Sequence, residues 1–140
     1  MNIRPVLLVV GLAFAGPTLA ETPDIPRSII EVFHIAPGQH EAFLKRIAQQ
    51  ERAAKAVGLD PGDLYIHEAG ASWDFVLVKP LGQDDGKWEQ MMEILHDEGY
   101  PSGPDFFFEF RRMYTSHEDT YVLGPTRATD YLATRDEAAD

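Results

Sequence analysis

The chain has 140 residues, no cysteine, and 23 Asp+Glu against 12 Lys+Arg, a formal charge of −11 at pH 7. The lack of cysteine excludes disulfides, thiolate metal sites, iron–sulfur clusters and thiol nucleophiles. The acidic balance argues against a nucleic-acid surface, since the Lys and Arg are scattered or offset by acids, and against docking on anionic lipid.

Residues 1–20 have the layout of a secretory signal peptide. Arg4 is their only charge, Val6 to Ala15 is apolar apart from Gly11, and Gly16-Pro17 breaks any helix. Thr18-Leu19-Ala20 then places small residues before a cut ahead of Glu21. The apolar run makes a helix of roughly 15 Å, about half a bilayer core. The expectation is export to a bacterial periplasm or the extracellular space, with no stable membrane span after cleavage. Residues 21–27 carry two prolines and read as an extended leader, residues 28–134 as a single domain, and the acidic stretch 135–140 as a loose tail.

Ser28–Ile35 is rich in β-branched and aromatic residues and predicts a strand. Its two faces, Ile30/Val32/His34 and Ile29/Glu31/Phe33/Ile35, are both largely apolar, so both need cover. Pro37-Gly38 turns the chain. Residues 39–57 then predict a helix with Phe43, Leu44, Ile47, Ala48, Ala54 and Val57 on one face, stopped by Gly58. Asp63–Glu68 and Trp73–Lys79 predict two strands of a hairpin around Ala69–Ser72. After a loop over Pro80–Gly86, Lys87–Asp97 predicts a helix with Trp88, Met91, Met92 and Leu95 inward.

Tyr100–Pro104 is a rigid connector. Phe106, Phe110, Met113 and Tyr114 predict a helix from Asp105 to about Ser116, with the Phe106–Phe108 run fitting a buried strand as the alternative. Thr120–Leu123 predicts a short strand ended by Gly124-Pro125, and Thr126–Thr134 a terminal helical turn. The order β-α-β-β-α-(α)-β gives an α+β, ferredoxin-like split βαβ arrangement, a four-stranded antiparallel sheet with helices on one face. The sheet's other apolar face then calls for a second copy of the chain.

The stretch Ile30-Glu-Val-Phe-His-Ile-Ala-Pro-Gly-Gln-His-Glu-Ala-Phe-Leu44 resembles the opening of dimeric α/β-barrel proteins. These include the antibiotic-biosynthesis monooxygenase, NIPSNAP-like and stress-responsive barrel groups. By element order the resemblance covers most of residues 28–125. It implies two sheets facing each other across a homodimer and, in each subunit, a pocket between sheet and helices. Some members oxidise phenolic or quinone-like substrates without a cofactor, and others degrade haem. No subfamily's catalytic set is recognisable in this chain.

Three groupings carry candidate chemistry. His117-Glu118-Asp119 joins an imidazole to carboxylates, for a general base or a divalent metal, against the plain reading of a helix end. Adjacent residues cannot all reach one centre from a regular helix or strand. His34 and Glu31 are polar groups within an apolar strand. A carboxylate such as Glu31, once buried there, needs a partner. Arg111-Arg112 beside Phe106, Phe110 and Tyr114 suits an anionic aromatic ligand, with Trp73 as a further wall. The plain reading of those arginines is pairing with acids. His67 reads as a hydrogen-bonded hairpin residue. No phosphate loop, nucleophile elbow, calcium loop or His-x-x-x-His pair occurs, and no cofactor is expected.

Taken together these features favour an exported barrel protein that binds a small apolar or aromatic molecule, with cofactor-independent oxygenase or isomerase chemistry. The alternatives are a non-catalytic exported dimer serving a protein partner and a metal-binding protein centred on His117 to Asp119. The first requires a cavity of about 300 Å³ or more with polar groups converging in it, the second a filled core.

Overall fold

The computed structural model describes residues 24–137 apart from Ala71. The signal-peptide reading of residues 1–20, the start of the leader and the end of the acidic tail lie outside the described residues. The elements are β1 (Arg27–Ile35), α1 (His40–Ala56), β2 (Asp63–Ile66), β3 (Phe75–Pro80), α2 (Asp85–Asp97), α3 (Gly103–Arg111), β4 (Tyr114–Leu123) and α4 (Ala128–Glu137). The strands form one sheet in the order β2-β3-β1-β4, and every neighbouring pair is antiparallel. That order with these connections is the ferredoxin-like split βαβ fold. No helix among the described residues is long and apolar enough to cross a membrane.

β1 is central, as its two apolar faces required. Phe33 and Ile35 are buried under α1 and α3, in a cluster with Phe43, Ile47, Phe75 and Leu77. Phe110, Met113 and Tyr114 pack against that cluster. A second cluster sits between α1 and α2: Ala53, Ala54, Leu59, Met91, Leu95 and Tyr100. The opposite sheet face, with Ile30, Val32, His34, Val76, Val78 and Val122, is only half-buried.

Two elements differ from the sequence expectation. The helix expected to run to about Ser116 stops at Arg111, and β4 starts at Tyr114 rather than Thr120. Met113 and Tyr114 stay on the core side in both cases, so helical spacing across residues 106–114 conceals the switch. Pairing with central β1 decides it, from Ile35 opposite Tyr114 to Arg27 opposite Leu123. A helix-end reading of His117-Glu118-Asp119 is thereby overturned, because all three lie within β4. The hairpin is also shorter than expected: β2 ends at Ile66 and β3 starts at Phe75, so Trp73 and Asp74 precede the strand. At the other end of the chain, α4 runs into the stretch read as a loose tail.

Asp74 ties three strands together. Its amide donates to the Phe33 carbonyl (2.9 Å), its carbonyl accepts from His67 N (3.0 Å), and its Oδ2 accepts from Ile35 N (2.6 Å). Its Oδ1 lies 3.2 Å from His40 Nε2. Desolvation pushes the Asp74 carboxyl upward, but the Ile35 amide, the His40 hydrogen bond and the charges of His40 and His34 outweigh it and hold it below the usual carboxylate range. A lowered folded-state value means stability that is present above the unfolded value, about 3.9, and is lost as pH falls through the folded one. Asp74→Asn should therefore be less stable than wild type at pH 6, with the gap closing as pH drops below about 4. Urea denaturation midpoints at pH 6 and pH 3 measure this.

Candidate functional site

Register builds the site. Phe33 lies opposite His117 and Glu31 opposite Asp119 in the β1–β4 ladder, so the four side chains share the helix-covered face. Glu118 falls on the other face, opposite Val32, and leaves the triplet. Glu31 from β1 takes its place. The three donor atoms of Glu31, His117 and Asp119 lie within 4.8 Å of one another.

The His117 ring is locked by aromatic contacts. It stacks on Phe33 with centroids 4.3 Å apart and planes 8° apart, and Tyr114 meets it edge-on at 5.3 Å. Its Nε2 is 2.6 Å from Asp119 Oδ1. Glu31 Oε2 is 2.5 Å from Lys79 Nζ, which comes from β3 opposite Ile29 and thus lies diagonal to Glu31. Neither contact has hydrogen-bond alignment. Glu31 Oε2 and His117 Nε2 are also closed to solvent, so each is left with a charged contact but no aligned hydrogen bond among the described residues.

Glu31 also borders a cavity of about 520 Å³ between the sheet, α1 and α2. It separates the two core clusters. Ile29, Leu77 and Lys79 form its floor with Glu31, Ile47 and Ala54 one wall, and Met91 and Leu95 the other. Trp88 and Met92 line it while remaining solvent-exposed, so they stand at its mouth. Tyr100 closes one end, its hydroxyl 2.5 Å from Gln50 Nε2 and its ring under the Arg46 guanidinium at 5.1 Å. Burial pushes the Tyr100 phenol up, with the Glu31 charge adding to the rise, against the opposing pull of Gln50 and Arg46.

Of the aromatic set only Phe106 lines the cavity. Phe110 and Tyr114 are half-buried against the core, Phe110 stacked on Phe43 and edge-on to Phe33, Tyr114 edge-on to His117. Trp73 packs on His67 at 5.1 Å, at the hairpin and away from the cavity. Arg111 is exposed, over the Tyr114 ring at 5.2 Å. His34 faces the opposite side of β1 from Glu31, as alternation along a strand dictates, and no cavity-lining atom is its own. Lys79, Gln50 and Tyr100 were not among the candidates. The alternation Phe75, Leu77, Lys79 on one face of β3 was the available signal, since a cation on an apolar face calls for a buried anion.

No protein-family model and no curated protein matches the chain. Among solved structures it is similar to a protein of Agrobacterium tumefaciens described as a NIPSNAP-family protein with unknown function. That likeness has 18% identity over 74% of this chain and 91% of the other, and a TM-score of 0.47. A second structure of the same protein gives 17% identity over 73% and 95%, with the same TM-score. A protein of Pseudomonas aeruginosa, PA3566, shows 16% identity over 76% and 100%, with a TM-score of 0.40. The fold assignment rests on strand order and connections alone.

The Glu31–Lys79 pair should behave as a coupled unit. Lys79→Met leaves a buried carboxylate without its cation and should cost on the order of 1–3 kcal/mol, with Glu31→Gln in the same chain restoring most of it. Chemical denaturation of wild type, both single variants and the double variant measures the coupling.

Proposed function

We propose that the protein binds a small, largely apolar molecule in the cavity between the sheet and α2. The cavity itself carries this reading: about 520 Å³ lies between two well-packed clusters, within the size range of small-molecule sites. A protein that worked through its surfaces alone would need no such space, which favours this reading over the protein-partner alternative. Glu31, Glu51 and Asp60 line the cavity against a single Lys79, so the chemistry suits a ligand with a hydroxyl or amine donor rather than a carboxylate. This replaces the anionic ligand suggested by Arg111 and Arg112, neither of which lines the cavity.

Glu31 is the proton-handling group of the reading. Isomerisation by proton transfer asks only for groups already lining the cavity: the carboxylate takes a proton from one carbon and returns it to another. Trp88 at the mouth supplies a fluorescence signal. Titration with naphthol-type compounds should quench or shift it saturably, and Met92→Arg at the exposed mouth and Leu81→Trp should each weaken binding about tenfold or more with circular dichroism unchanged. Absence of saturable binding, or binding untouched by both variants, ends the reading.

We further propose that the half-buried sheet face is covered by a second copy of the chain, and that residues 1–20 export the protein. Val32 and Val76 are directly opposed on that face and half-buried. A stable dimer there would bury more than about 1,000 Å². Analytical ultracentrifugation should give a dimer for the wild type and a folded monomer for Val32→Glu; a monomeric wild type refutes the pairing.

A further inference from the structure

We propose that Glu31, His117 and Asp119 form a site for one first-row divalent metal ion. The inference goes beyond small-molecule binding and stands without it, because the metal is titrated with no organic ligand present.

The donor set is one imidazole nitrogen and two carboxylate oxygens, drawn from two paired strands and mutually within 4.8 Å. Metal–ligand bonds of about 2.0–2.2 Å set donors around one ion roughly 3–3.5 Å apart, so small side-chain rotations close the triangle. The backbone under it is the centre of the sheet, and the imidazole is already held face-on by Phe33. Little ordering remains to be done on binding.

Two of the three donor atoms are enclosed and held only by charged neighbours, Glu31 Oε2 by Lys79 Nζ and His117 Nε2 by Asp119 Oδ1. Glu31 Oε2 and His117 Nε2 are shut from water with no aligned hydrogen bond among the described residues. A cation among them satisfies both, and Asp119, about half exposed (44%), leaves an entry route at the sheet edge. Lys79 already places a positive charge on Glu31, and its side chain is about one-third exposed (32%), so it has room to swing away. The lysine thus competes with a metal for Glu31 Oε2.

One nitrogen and two oxygens with no thiolate suit zinc, manganese(II) or iron(II) over calcium or magnesium, and among the common ions affinity rises toward zinc.

The test is calorimetric titration of the purified full chain, stripped with chelator, with zinc chloride and separately manganese chloride at pH 7.5. The expected result is one ion per chain, zinc the tighter. Asp119→Asn and His117→Gln should each weaken binding about tenfold or more. Asp119 is half exposed, so its variant keeps the Phe33 stack and tests the site even if the histidine variant fails to fold. Lys79→Met should bind about tenfold tighter than wild type and gain more thermal stability from zinc. No stoichiometric binding, or binding that survives Asp119→Asn and ignores Lys79→Met, overturns the proposal and assigns any uptake to the scattered surface acids. A positive metal result with no organic ligand found would leave this site standing and the cavity reading fallen.

Discussion

The antiparallel pairing of β1 with β4 is the constraint on which the rest depends. A shift of one residue in that ladder would send Glu31's partners to the other face, because side chains alternate with period two. In the observed register Phe33 meets His117 and Glu31 meets Asp119. The same ladder pulls Met113 and Tyr114 into the core and so ends α3. Its position is pinned at both ends. Ala36 N donates to the Met113 carbonyl at 2.9 Å, and Ser28 Oγ donates to the Gly124 carbonyl at 2.6 Å.

The two-cluster core explains the space beside the site. α2 packs on α1 through Met91 and Leu95 against Ala53 and Ala54, while the sheet packs on α1 through Phe33, Phe75 and Leu77 against Phe43 and Ile47. α1 is wide enough to serve both. Small residues on its upper turns, Ala53 and Ala54, let α2 approach closely there and leave no side chain long enough to reach the sheet below. Glu31 and Lys79 extend the sheet's polar groups into the gap. At its rim the connection into β2 is held by Gly62, whose positive φ of 81° and contact with the Val78 carbonyl admit no side chain.

Much of this was legible in the chain. The element order, the two faces of β1, the inward stripe of α1 and the Glu31 alert all follow from periodicity and from the cost of burying charge. Helix starts were less legible. α2 begins at Asp85 because the Asp84 side chain accepts from Lys87 N at 3.0 Å, a cap that periodicity alone does not mark. The aromatic candidates were misplaced for one reason. Phe106, Phe110 and Tyr114 sit at helical spacing, and helical spacing identifies a buried face without saying whether a core or a cavity lies behind it. Phe110 and Tyr114 met a core and Phe106 met the cavity. The His117–Asp119 pair was visible as residues, but its third member lies far away in sequence and only strand pairing brings it in.

The buried polar groups beside an apolar cavity need an explanation that stability does not supply. An ion pair with one partner as enclosed as Glu31 is commonly replaceable by well-packed apolar residues at no loss, and often at a gain. A Leu–Met pair at positions 31 and 79 would fit the same sheet face and extend the cluster around Leu77. What such a pair lacks is an acceptor at the cavity floor, linked across one strand to an imidazole held face-on by Phe33. The groups that weaken the argument from stability are therefore the ones that strengthen the argument from chemistry. They lie where the sheet meets the cavity, while elsewhere on this face the packing around Phe33 is aromatic and closed.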